Sequence, residues 1–255
     1  MADAAEDASP WITDLHSAMR LIAGPRDGDV LTGGIALQIQ PGWKTYWRTP
    51  GDSGVPPRFD FSASDNVETV TVLWPAPTKF PDGAGGTSFG YKTQVVLPLR
   101  IVAKKPDMPV TLRAEINYAV CEKLCVPVEA KTEVSLPAAA GDPDESLVDA
   151  LKSVPKPAAV GAANALTVER VKRDGNAVVV DVKAPDTGEA ELFVEGPTPD
   201  WALPPPTFRE RTPDGLQRFT FDLDGLPSGA HPEGAALKLT LAGGGLAYEY
   251  DVTLP

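Results

Sequence analysis

Apolar runs in this chain are short, and nearly every one is closed by Gly, Pro, Asn or Asp. That punctuation restricts the fold to strands joined by tight connections. In the first half the runs fall at Ala18–Ala23, Gly34–Gln40, Val67–Trp74, Gln94–Ala103, Thr111–Val120 and Val126–Leu136. An Ala-rich stretch with Pro143, Pro155 and Pro157 interrupts the pattern between Pro137 and Ala165. The runs then resume at Leu166–Lys172, Ala177–Lys183, Glu189–Val194, Leu216–Leu223, Ala235–Leu241 and Leu246–Leu254. Lys172-Arg173-Asp174-Gly175-Asn176 is a hairpin turn signal between the first two of these. Within the interruption, Leu147, Val148 and Leu151 share one side of a short amphipathic helix predicted over Asp144–Lys152. A chain of 255 residues has room for two ordinary domains, and 27 prolines with 23 glycines favour strands and turns over helices. The predicted fold class is therefore all-β: two immunoglobulin-like β-sandwich domains, at 11–137 and 166–255, joined by an Ala/Pro-rich linker at 138–165. Residues 1–10, small and acidic, are expected to be a mobile end.

Charge excludes some function classes. A net charge of −12 argues against a nucleic-acid or anionic-membrane surface, which needs clustered Lys and Arg. No apolar run is long enough to span a bilayer. The start, Met1-Ala2-Asp3-Ala4-Ala5-Glu6-Asp7, lacks the basic and apolar regions of a secretory signal. Either the chain is cytoplasmic or Met1 stands where a signal peptide was removed.

The chemistry is expected at Cys121 and Cys125, the two cysteines of the chain. They flank Glu122-Lys123-Leu124 between two predicted strands. A disulfide needs Cα atoms roughly 4.4–6.8 Å apart, whereas four steps of continuous strand span about 13 Å. The chain must therefore turn at 122–124, as a three-residue hairpin loop or one helical turn. Alternation puts Cys121 in phase with Arg113, Glu115 and Asn117, and Cys125 in phase with Pro127, Glu129 and Lys131. Both thiols are thus expected on the polar face, outside the core. A bridge across so short a loop contributes only about 2 kcal/mol in the chain-entropy picture, so fastening the fold is a poor reason for its presence. Reversible thiol–disulfide exchange is the favoured reading, with Cys125 as the attacking thiol. Two alternatives stand: an inert hairpin bridge, and a Cu(I) site on two thiolates. Neither a cofactor nor a resident metal is expected. Structural zinc needs four ligands, and His16 and His231 lie in different predicted domains. Lys123 would favour a thiolate and Glu122 oppose it. The aromatic cluster Trp43, Tyr46 and Trp47 either borders a partner-binding face or closes the core.

Several segments together resemble a known family: Pro41-Gly42-Trp43-Lys44-Thr45-Tyr46-Trp47-Arg48-Thr49-Pro50-Gly51-Asp52-Ser53-Gly54, Ser88-Phe89-Gly90-Tyr91-Lys92, Leu97-Pro98-Leu99 and Tyr118–Pro127 around the cysteines. Over roughly residues 17–137 the chain is similar to the N-terminal periplasmic region of DsbD-type reductases, nearest the ScsB branch named for suppression of copper sensitivity. The resemblance implies a periplasmic module of an inner-membrane protein. Electrons would come from a transmembrane core through a thioredoxin-like C-terminal domain of the same polypeptide. They would pass to thioredoxin-fold proteins of ScsC type and to peroxiredoxin-like proteins. It also implies an aromatic cap over the cysteine pair, with Phe89 at the matching position beside Gly90 and Tyr91. Gly83, Gly85, Gly86 and Gly90 would give that segment the backbone freedom of a loop. The second domain carries no cysteine, and its expected roles are spacing, packing or partner docking.

Overall fold

The computed structural model describes residues 7–82, 85–138, 144–185 and 189–255. Most of the expected mobile end, Gly83 and Pro143 lie outside the described residues. Asp7 to Ser9, however, are pinned: the Ser9 amide donates to the Leu21 carbonyl at 2.9 Å, and the Ala23 amide to that of Asp7 at 2.8 Å.

The described residues fall into two compact units, one within Met1–Pro50, Gly54–Pro77 and Phe89–Val154, the other within Gly51–Ser53, Thr78–Ser88 and Pro155–Pro255. The first half of the chain forms β1 (Ile12–Thr13), β2 (Ser17–Asp27), β3 (Val30–Ile39), β4 (Lys44–Gly51) and β5 (Arg58–Asp60). There follow β6 (Val67–Val72), β7 (Thr78–Pro81), β8 (Thr87–Lys92), β9 (Gln94–Ala103), β10 (Val110–Cys121) and β11 (Cys125–Leu136). One sheet has the order β1-β2-β3-β9-β6; the other runs β11-β10-β4-β8-β7, with β5 also on β10. The fold is immunoglobulin-like and almost wholly β. The core follows from period-two alternation: Met19 and Leu21 on β2, Leu97, Leu99 and Ile101 on β9, and Leu112, Ile116 and Val120 on β10 are all essentially inaccessible. Each such side chain contributes on the order of 1.5–3 kcal/mol of hydrophobic stabilisation.

The helix α1 (Glu145–Ser153) lies within a residue of its predicted position. Asp144 caps it, accepting from the amides of Ser146 at 2.8 Å and Leu147 at 3.2 Å. Hydrogen bonds from Ser146 hold the Asp144 carboxyl below its ordinary range. Leu147 is 1% exposed because β2 and β3 offer it a recess without side chains. A Cβ at Gly24 would stand 2.7 Å from Leu147 Cδ2, and one at Gly34 3.1 Å from its Cδ1.

The second half forms β12 (Lys156–Pro157), β13 (Thr167–Asp174), β14 (Ala177–Lys183), β15 (Glu191–Glu195), β16 (Thr207–Arg211), β17 (Gln217–Asp222), β18 (Ala236–Gly243) and β19 (Leu246–Thr253). Two four-stranded sheets result, β12-β19-β18-β15 and β13-β14-β17-β16. Between them lie Val178, Val180, Val182, Leu192, Phe219, Leu239 and Tyr250. In this unit Lys79 Nζ donates to the Pro206 carbonyl at 3.1 Å and lies 5.2 Å from the Phe193 ring centroid. Burial pushes its ammonium down to about 8, against the opposing charge of Glu191. The same burial raises the Glu191 carboxyl.

Candidate functional site

Strands β10 and β11 form an unbroken antiparallel ladder from Val110↔Leu136 to Cys121↔Cys125, leaving Glu122, Lys123 and Leu124 as the turn. Of the two geometries open to the sequence, the hairpin loop is the one adopted. Cys121 and Cys125 form a disulfide with Cα atoms 4.2 Å apart. Directly opposed residues at a narrow antiparallel position lie about 4.5 Å apart anyway, so the ladder itself brings the sulfurs together. Along β11 the expected phase is observed. Cys125, Pro127, Glu129, Lys131 and Glu133 are exposed, while Val128, Ala130, Val134 and Leu136 are buried.

The two cysteines differ sharply in access, which corrects the expectation that both lie outside the core. Cys125 is exposed, whereas Cys121 is only 2% exposed. The alternation holds along β10, but its outward face is not open at this end. Ala119 is likewise 2% exposed, although Glu115 and Asn117 earlier on the same face are not buried. The difference arises from β4. Cys121 pairs directly with Lys44, and paired residues project from the same face. Lys44, Tyr46 and Arg48 therefore share the cysteines' side, while Thr45 and Trp47 take the other. Thr45 Oγ1 donates to the Ala119 carbonyl at 2.8 Å, and Trp47 is 0% exposed.

Tyr46 brings an aromatic ring to the bridge. Its Oη lies 3.4 Å from Cys125 Sγ. Neither sulfur of a disulfide carries a proton, so the hydroxyl is the donor. The ring is 3% exposed and packs against the backbone of Gly54, where a Cβ would come within 2.5 Å of Tyr46 Cδ1. Gly54 has φ 136°, a conformation that side-chain-bearing residues rarely adopt. Trp43 is half-buried and stacks on His16 with ring centroids 3.7 Å apart; His16 Nδ1 in turn lies 3.2 Å from Gln40 Oε1. The aromatic cluster thus divides: Trp47 closes the core, Tyr46 covers a sulfur, and Trp43 remains partly accessible. At the tip of the turn Glu122 and Lys123 are exposed, and Leu124 is 80% exposed.

Phe89, Gly90 and Tyr91 do not form a loop. They lie in strand β8, and all three are buried. Gly90 is required there because a Cβ would collide with the Thr45 carbonyl oxygen and stand 2.8 Å from Tyr46 Cα. The Tyr91 hydroxyl donates to the Pro75 carbonyl at 2.8 Å, and burial pushes that phenol well up. The glycine at 90 therefore serves close strand approach rather than hinge freedom. Among the described residues no group of three or more His, Cys, Asp and Glu is arranged to hold a metal ion.

Sequence reasoning did not identify Lys44 as the residue opposite Cys121, Tyr46 as the donor to sulfur, or Gly54 as its seat. One signal was available. Thr45, Tyr46 and Trp47, between the breakers Gly42 and Pro50, are β-favouring residues, and strand alternation through them groups Lys44, Tyr46 and Arg48.

The chain is similar over its whole length to a solved structure, the N-terminal periplasmic domain of ScsB from Proteus mirabilis. The TM-score is 0.76 at 20% identity, covering 97% of this chain and 98% of that one. The likeness establishes the common fold. A marsupial T cell receptor aligns over 94% of this chain and 98% of its own at 11% identity, with a TM-score of 0.26, too low to carry an argument. Among curated proteins none matches. Residues 14–137, the segment that carries the bridged hairpin and the strand beside it, match the family described as thiol:disulfide interchange protein DsbD, N-terminal. Over those residues the chain is thus similar to the DsbD N-terminal family, with its two cysteines joined as a disulfide.

Proposed function

We propose that this chain is the distributing module of a periplasmic reductive relay. It accepts two electrons through Cys121 and Cys125 from a thioredoxin-like domain served by the transmembrane core of the same larger membrane protein. It spends them on periplasmic partners of thioredoxin fold, such as ScsC-like proteins, and on peroxiredoxin-like proteins. The observation that carries the proposal is the unequal access of the two sulfurs. An exposed Cys125 can meet a partner's disulfide, and a buried Cys121 behind it can resolve the adduct without being intercepted. The Tyr46 hydroxyl, already donating to Cys125 Sγ, is placed to stabilise the thiolate there once the bridge is reduced.

Equilibration with glutathione buffers tests the reading. The pair should pass between dithiol and disulfide at fixed poise while the fold stays intact, read by alkylation and mass. A bridge that resists reduction until the domain unfolds would make it a passive staple. Tight Cu(I) binding by the dithiol form, lost on oxidation, would make the chain a copper-handling module instead.

Shielding by Phe89 belongs to the same proposal, with the strand rather than a loop as its support. Phe89→Ala should accelerate reduction of the bridge by dithiothreitol several-fold, by loosening the packing of β8. An unchanged rate would remove Phe89 from the site.

A further inference from the structure

Resolution poses a physical problem if the proposed exchange is correct. The exposed Cys125 thiolate attacks a partner disulfide, and one partner sulfur leaves with its electron pair and takes a proton. Cys125 is then joined to the partner. For release, Cys121 must attack Cys125 Sγ as a thiolate. The new S–S bond joins Cys121 to Cys125, the bond to the partner breaks, and the second partner sulfur departs as a thiolate that solvent protonates. Two electrons have moved from the pair to the partner. Yet Cys121 is 2% exposed, and burial disfavours a thiolate. A positive charge must offset that cost if the step is to run near neutral pH.

We infer that Lys44 supplies this charge and is the positioning residue of the resolving step. It is the direct cross-strand partner of Cys121. Side chains so paired share a face, with Cβ atoms roughly 4.5–5.5 Å apart. Lys44 is itself half-buried, and its place in the register puts its side chain on the cysteine side of the sheet. Other charged or titratable groups lie in the adjoining turn and along β4. Glu122 and Lys123 sit in the exposed turn, and the Glu122 carboxylate lies beside Gly42, where a Cβ would stand 3.5 Å from its Oε1. Tyr46 on the same face of β4 bonds to Cys125. Arg48 lies two residues further along β4 from Tyr46. The division of labour is then complete: the tyrosine serves the attacking sulfur and the lysine the resolving one. This inference rests on the exchange reading and deepens it.

An aromatic disulfide whose thiolate product is coloured, dithiobis-nitrobenzoate, separates the two steps in rapid mixing with the reduced chain. The first release of colour reports attack by Cys125, and the second reports resolution by Cys121. In Lys44→Met the second phase should slow about tenfold on its pH-dependent limb, its midpoint moving up by about one unit, while the first phase stays as in the parent. Lys44→Arg should restore the second phase. An unchanged second phase in Lys44→Met, or equal slowing of both phases in Lys44→Met and Lys44→Arg, would overturn the role of Lys44 and leave the exchange reading standing. Absence of both phases in the parent protein would remove the exchange reading and this inference together.

Discussion

Serine at position 125 should reduce disulfide exchange to the uncatalysed background, whereas serine at 121 should leave the attack intact and freeze its product. The asymmetry follows from exposure. With Cys125→Ser the one remaining thiol is 2% exposed and no partner sulfur can reach it. With Cys121→Ser the exposed thiol still forms a mixed disulfide, but nothing stands behind it to release the partner. Incubation of each variant with oxidised glutathione, read by intact mass, distinguishes them: an adduct on Cys121→Ser and none on Cys125→Ser. Capture by the Cys121 thiol alone would reverse the assignment of roles. Stability should hardly enter the comparison. Losing a bridge across so short a loop costs about 2 kcal/mol in the chain-entropy picture, and the β10–β11 ladder continues unbroken back to Val110↔Leu136.

The second large effect is expected from a single methyl group. Gly90→Ala should destabilise the N-terminal unit by about 3 kcal/mol, at the upper end of what overpacking costs. The added carbon would meet backbone, not the yielding end of a side chain: the Thr45 carbonyl oxygen, and Tyr46 Cα at 2.8 Å. Strand β4 must move, and Tyr46 moves with it. Denaturant titration should show a lower midpoint with an unchanged slope. The same variant should also lose the protection of the bridge, visible as faster reduction by dithiothreitol. A midpoint indistinguishable from the parent would show that β4 and β8 can separate at no cost, and would undermine the rigid seat assigned to Tyr46.

Much of this architecture was legible in the primary structure because its strands are half-buried. On β11, hydrophobic residues facing inward alternate with charged ones facing out, and on β2, β9, β10, β14 and β18 the apolar runs stand out between breakers. The helix was legible for the same reason, since Leu147 and its neighbours recur at helical spacing above a capping Asp144. At the site, what escaped were β4 and β8. Both have neighbours on each edge, and residues on both faces are buried, so period-two contrast is lost. Proline and glycine at their ends suggested loops instead. The expected cap segment became a strand, and Tyr46 brought an aromatic ring to the sulfur.

Local order along the chain therefore determined the turn at Glu122-Lys123-Leu124, the meeting of the two sulfurs, and the face of the hairpin from which they project, because each depends only on strand period and loop length. Tertiary structure decided which sulfur meets solvent. That required β4 to pair at Cys121↔Lys44 and bring Tyr46 over the bridge, contacts between residues 77 and 79 apart in sequence, a loop closure that no local pattern encodes.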